Sequence, residues 1–178
     1  MSGAVVWITG RPSSGKSTLA AAVVERLRGA GAACALLDGD EVREALGRPA
    51  GQGEAERDAF YGALGRLAAL LARQGLCVVV AATSHCRAHR ERARALAPRF
   101  VEVLVETPAE ECERRDAKGL YARARAGGTV ELPGAEVEYE APLAPEVVAR
   151  GGEDVGAARV AVELVLGPAA VPTTSSRT

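Results

Sequence analysis

The stretch "GRPSSGKST", Gly10 to Thr18, follows the apolar run Ala4–Thr9 without a gap and opens a segment of helical periodicity. Gly10, four residues, then Gly15, Lys16 and Ser17 fit the phosphate-binding loop template in full. The chemistry asks for these residue types. Glycines let successive backbone N–H groups wrap an anion, and the helix that follows aims its positive end at it. Lys16 then reaches the terminal phosphates and Ser17 holds Mg2+, so this one stretch fixes a strand, a loop, a helix and a nucleotide site.

The rest of the chain repeats that alternation. The runs Cys34–Leu37, Leu76–Ala82 and Phe100–Val105 are short and aliphatic, with helix-period segments between them. Leu19, Val23, Val24 and Leu27 form one apolar stripe; Phe60, Leu64, Leu67 and Leu71 form another. The pattern predicts an α/β fold, a parallel sheet flanked by helices. Thr107-Pro108 with Glu110 and Glu111 reads as a capped helix start, Pro98 as the stop of the helix after Arg87, and Val155–Leu166 as a closing helix. Gly47–Gly53 and Gly127–Pro145 are Gly/Pro-rich and read as loops. The expected organisation is one domain over 1–166, a lid over about 117–145, and a disordered Pro/Ser/Thr-rich tail over 167–178.

Composition narrows the class. At 178 residues and 48% hydrophobic the chain is one domain's length, and a net charge of −1 gives no field for nucleic acid or an anionic membrane. No apolar run is long enough to span a bilayer, and no basic-then-apolar leader precedes Val5, which predicts a cytoplasmic protein. The four cysteines form no C-x-x-C pair, so neither a disulfide framework nor a zinc site is expected. His85 and His89, four apart beside Cys86, sit where one helical face could carry metal ligands, yet the arginine-rich surroundings read as a solvated helix start.

The chain contains no asparagine, which removes the guanine-reading motif of GTPases. The Leu76–Ala82 run ends "AATSH" without the carboxylate expected of motor and remodelling ATPases. A small-molecule kinase remains: it needs a nucleotide cradle, a carboxylate that orients the acceptor hydroxyl, and mobile cations. "LLDGD" supplies Asp38 and Asp40 at a strand's carboxyl end, where open α/β sheets place their sites. Asp40 suits the acceptor proton, and Asp38 suits Mg2+-bound water or a helix cap. Only two lysines, Lys16 and Lys118, stand among 22 Lys+Arg. A compact ammonium follows a moving phosphoryl group, whereas arginine's planar fork suits fixed recognition, so Lys118 in "DAKGLYARARAG" reads as a lid cation. Arg87, Arg90 and Arg94, at i, i+3 and i+7, read as a solvated stripe with Arg87 the exception.

"VWITGRPSSGKST", "LLDGDEVR", "FVEVLVETPAEECERRDAKGLYARARAG" and "YEAP" together resemble the adenylylsulfate (APS) kinase family, from about Val5 to Pro145. The resemblance implies a P-loop NTPase fold, a homodimer, and transfer of the γ-phosphoryl of MgATP to the 3′-hydroxyl of APS, giving PAPS. It implies ATP-phosphate binding by Gly10, Arg11, Pro12, Ser13, Ser14, Gly15, Lys16, Ser17 and Thr18, with Arg115 against the adenine. Asp40 falls in the acceptor-orienting position and Arg43 and Arg57 among the acceptor-binding arginines. Ser84 falls where the family has a phosphoserine position, although in-line transfer needs no such intermediate. Lys118, Gly119 and Leu120 fall in the lid.

The departures gather on the acceptor side. Gln52 stands for an aromatic before Arg57, "AFYGA" (Ala59–Ala63) for "ENIRR", Leu132 for a second phenylalanine, and Cys86 for the aromatic of the "SPF/YR" stretch. Base stacking contributes roughly 1–3 kcal/mol per base, so these changes leave room for a different small hydroxyl acceptor. A non-catalytic ATP-binding regulatory domain is the remaining alternative; Lys16, Ser17, Asp40 and Lys118 argue against it.

Overall fold

The aliphatic runs pair into one sheet. Its strands are β1 (Ala4–Thr9), β2 (Cys34–Asp38), β3 (Cys77–Ala81), β4 (Phe100–Val105) and β5 (Val147–Ala149). The computed structural model describes residues 3–47, 53–116, 119, 121–122, 126 and 137–167. Every neighbouring pair is parallel, in the order β2-β3-β1-β4-β5, with Val6 opposite Val79 on one side and Val101 on the other. Parallel pairing demands crossovers, which the helices provide. These are α1 (Lys16–Gly29), α2 (Gly39–Ala45), α3 (Glu54–Arg73), α4 (Arg87–Leu96), α5 (Ala109–Arg115) and α6 (Val155–Leu166).

Alternation along β1 sorts its side chains between two layers. Val6 and Ile8 pack with Leu19, Val23 and Leu27 of α1 and with Ala158, Ala161 and Val162 of α6. Val5 and Trp7 face the other way, onto Phe60, Leu64 and Ala68 of α3 and Ala93 of α4. Full burial of a Leu or Val side chain stabilises by about 1.5–3 kcal/mol, so the two layers hold the helices to the sheet. None of the described helices is long and apolar enough to cross a membrane.

The parallel α/β architecture is the expected one, and the α1 stripe is buried as expected. Three local expectations change. The α3 stripe runs through Phe60, Leu64, Ala68 and Ala72, leaving Leu67 exposed, because small alanines let that helix lie close to the sheet. β5, only three residues long in a Pro/Gly-rich neighbourhood, carries no periodicity signal of its own. Thr107 does not cap α5: Pro108 takes the cap position, and the Thr107 hydroxyl donates to the Ser14 carbonyl at 2.8 Å. Residues 48–52, most of the lid and 168–178 lie outside the described residues, and with them Gln52, Lys118, Leu120 and Leu132.

Candidate active site

The loop after β1 is shaped by its glycine. Gly15 sits at φ 102°, a left-handed conformation that a side chain disfavours, and it is the N-cap of α1 without a side-chain cap. No acidic residue occupies the first turn of α1, so its free N–H groups and positive end face the loop unopposed. The turn closes through Ser14 N–H donating to the Arg11 carbonyl at 3.2 Å. Lys16 Nζ donates to the same carbonyl at 2.8 Å, which draws the ammonium over the mouth of the loop. Outside anchors hold it as well: Tyr121 Oη donates to the Pro12 carbonyl at 3.2 Å, and burial pushes that phenol up to about 12. A hydroxyl held neutral in this way remains a donor throughout the physiological range.

Asp38 joins two halves of the site. Its Oδ2 accepts from Ser17 Oγ at 2.5 Å, and its Oδ1 accepts from Asp40 N–H at 3.0 Å as the N-cap of α2. The helix-cap reading of Asp38 is therefore realised, and the same carboxylate also holds the Ser17 hydroxyl of the phosphate loop. Asp40 lies on the first turn of α2 and is exposed, at the carboxyl edge of the sheet.

The edge beside Asp40 is built from α2, α3 and the turn before α4. Arg43 lays its guanidinium over Phe60, 3.7 Å from the ring centroid, with Tyr61 at 5.7 Å. Tyr61 is buried, which raises its pKa, while hydrogen bonds from the Ser84 backbone and the Arg43 side chain reach its hydroxyl. Arg57 is buried on α3, close enough that its charge adds to burial in lowering the His85 pKa. Ser84 sits at φ 42° and is fully buried; its Oγ has no hydrogen-bond partner among the described residues.

The arginine stripe is not solvated as expected. Arg90 is 2% exposed and donates from Nε to Glu102 at 2.7 Å, and from its two terminal nitrogens to the carbonyls of Ser84 and Glu140. Glu102, on β4, supplies the countercharge that makes this burial tolerable. Arg94 pairs with Glu146 at 2.6 Å and Glu102 at 3.3 Å. Arg87 donates from its backbone N–H to Glu140 at 2.8 Å and from Nε to the Ala141 carbonyl at 2.9 Å. These bonds stitch the "YEAP" segment to the site, where Tyr139 Oη also lies 3.0 Å from Thr9 Oγ1. His85 and His89 depart from expectation as well: both are buried, and the acidic partner invisible in local sequence, Asp58, arrives from α3 with Oδ1 3.4 Å from His89 Nε2.

The site continues beyond the loop. A cavity of about 510 Å³ is lined by Glu106, Thr107, Pro108, Glu111, Arg115, Arg150 and Gly151. That volume is within the usual range for small-molecule pockets. Arg115, paired with Glu111, stands beside it, its Nη1 3.8 Å from where a Gly15 side chain would begin. Gly152 presses on Gly15 so closely that a Cβ added to it would lie 2.6 Å from the Gly15 carbonyl. Gly152 escaped the sequence reading, and neither Tyr121 nor Thr107 was read as an anchor of the loop. These two and Tyr139 lay in stretches that the family resemblance had already marked.

Comparison with known proteins gives the family and the fold. The family model for adenylylsulphate kinase matches residues 2–150. The adenylyl-sulfate kinase of Picosynechococcus sp. is 45% identical over 148 residues, which is 83% of this chain and 84% of that protein. An APS kinase of Mycobacterium tuberculosis, solved in complex with AMPPNP and APS, superposes with a TM-score of 0.83 at 36% identity, over 91% of this chain and 96% of that one. A hexameric APS kinase from Thiobacillus denitrificans superposes at 0.62 and 27% identity, over 88% of this chain and 27% of that one. With its phosphate loop, Asp38-Gly39-Asp40 edge and "YEAP" anchor on one parallel sheet, the chain belongs to the adenylylsulphate kinase family.

Proposed function

We propose that this kinase transfers the γ-phosphoryl of ATP to the 3′-hydroxyl of APS, forming PAPS, and that the Asp38 carboxylate sets the geometry of the transfer. The observation that carries the reading is its double contact, with Ser17 Oγ at 2.5 Å and Asp40 N–H at 3.0 Å. One side chain fixes both the hydroxyl at the phosphate end and the acid at the acceptor end. In-line transfer depends above all on that relative placement.

Gly10 to Thr18 cradle the ATP phosphates, Lys16 neutralises the terminal pair, and Arg115 borders the cavity that takes the adenine. Mg2+ suits the all-oxygen donor set of Ser17 with Asp38 behind it, and when bound it supplies charge neutralisation across the phosphates. Asp40 accepts or orients the 3′-hydroxyl proton. Arg43 and Arg57 hold the acceptor's anionic groups, and Arg43, laid flat on Phe60, offers a planar cation against which a purine stacks in place of the missing aromatics. Ser84 serves through its backbone, which anchors Tyr61 and Arg90, and Arg87 holds the "YEAP" segment. Lys118, Gly119 and Leu120 act in the lid over about 117–145. Family resemblance supports a homodimer, although one relative is a hexamer, and dependence on ATP supports a cytoplasmic location.

ADP release is to be measured with MgATP and APS, with a panel of hydroxyl metabolites, and with Asp40→Ala. Saturable turnover on APS, lost in Asp40→Ala, is expected. Turnover confined to another alcohol defeats the acceptor assignment, and no turnover despite ATP-induced thermal stabilisation points to a regulatory domain. Lys118→Ala should lower kcat more than it raises KM for ATP; an effect confined to KM would exclude the moving-phosphoryl role.

A further inference from the structure

We propose that His85, Cys86 and His89, with Asp58 behind them, form a binding site for a zinc-type divalent ion at the acceptor edge, separate from the Mg2+ position at Ser17. The ligand atoms of the three side chains lie within 4.8 Å of one another. A tetrahedral zinc ion, with Zn–S about 2.3 Å and Zn–N about 2.0–2.1 Å, needs its ligands about 3.5 Å apart. Closing the longest gap takes about 1 Å of movement, within reach of side-chain rotation where the chain turns into α4.

Three observations favour an ion over a packed pair of rings. His85 is 2% exposed and His89 is 4% exposed, yet Nδ1 of each has no hydrogen-bond partner among the described residues. Buried imidazole nitrogens normally find partners, and both orphans belong to side chains of this one cluster. Asp58 Oδ1 stands 3.4 Å from His89 Nε2, which fixes the N–H on that nitrogen and leaves Nδ1 for a metal. This carboxylate–histidine arrangement is how metal-binding imidazoles are oriented from behind. Cys86 is the N-cap of the ten-residue helix α4, which sets it at the helix's positive end; burial, with Glu140 and Glu54 nearby, raises its thiol pKa, so the ion itself must displace the proton.

Two imidazoles and a thiolate select a borderline-soft ion over Mg2+ or Ca2+. Three protein ligands leave a fourth position for water or another group. Such an ion would pin the turn carrying Ser84 and His85, whose carbonyl accepts from Glu140 N–H at 2.9 Å, and so stiffen the edge where the acceptor docks.

The test is a CoCl2 titration of the untagged full-length chain, followed by displacement with ZnCl2. One equivalent of Co2+ should give tetrahedral visible bands and a thiolate charge-transfer band, both erased by Zn2+ and unaffected by excess MgCl2. Cys86→Ser should remove the charge-transfer band, and Asp58→Asn should weaken Co2+ binding 10–100-fold with the circular dichroism spectrum unchanged. Absence of stoichiometric binding overturns the proposal and leaves the rings as packing for Tyr61. Persistence of the charge-transfer band in Cys86→Ser overturns it equally, since the thiolate then belongs to another cysteine.

Discussion

Gly152 offers a direct test of how the phosphate loop is positioned. It lies in the turn between β5 and α6, distant in sequence from the loop it touches. A Cβ added there would sit 2.6 Å from the Gly15 carbonyl oxygen and 3.0 Å from both Gly15 Cα and Thr18 Cβ. Ordinary carbon–oxygen contacts begin at about 3.3 Å, so Gly152→Ala forces the two segments about 0.7 Å apart. Gly15 cannot yield freely, because its carbonyl accepts the first α1 bond from Leu19 N–H at 3.1 Å. The displaced unit therefore includes the N–H groups meant for the phosphates. A misplacement approaching 1 Å at a reacting centre costs up to about 100-fold in rate, so kcat/KM for ATP should fall by about 10–100-fold. Gly31→Ala is the control. Its φ of 74° penalises any side chain, by about 1–2 kcal/mol in stability, but the new Cβ meets nothing within 4 Å. Steady-state kinetics and thermal melts of both variants separate the effects. Unchanged kcat/KM in Gly152→Ala, or an equal loss in Gly31→Ala, would refute the reasoning.

Two further perturbations probe the frame around the site. Arg90→Ala leaves Glu102 with Arg94 alone, 3.3 Å away, and deprives two carbonyls of their donor; urea unfolding followed through buried Trp7 should show a loss of about 3–5 kcal/mol, and a loss below about 1 kcal/mol would contradict the buried pairing. Asp154 caps α6, accepting from Ala157 N–H and Arg150 N–H at 2.9 Å each, so Asp154→Ala should cost about 1 kcal/mol. Those N–H groups hold its carboxyl below the ordinary value, so its contribution is present above the unfolded-state pKa and disappears as pH falls through the lower folded one. The melting difference between wild type and Asp154→Ala should accordingly vanish in acid, and a difference that persists there would rule out the cap.

Much of the site was legible because its information is local. "GRPSSGKST" encodes a backbone conformation and a helix start within nine residues, and "LLDGD" encodes a strand end followed by a cap. Each needs only its neighbours to form. Asp38 was readable as a cap, and the fold shows that contact together with one to Ser17 Oγ that comes from another segment.

What stayed hidden was decided between segments. Arg90 looks like any helix-surface cation until β4 delivers Glu102 beneath it, 12 positions away. His89 gains Asp58 from α3 only when that helix packs on α4, and Gly152 meets Gly15 only once β5 joins the sheet edge. Periodicity and motif spacing record what a residue does within its own element. Burial and partner choice arise from the packing of elements against each other. The sequence alone determined that this chain folds as a parallel α/β nucleotide binder with a phosphate loop at its first strand. The tertiary structure alone decided which of its charged and imidazole side chains are buried, because a long-range partner is what makes burying them tolerable.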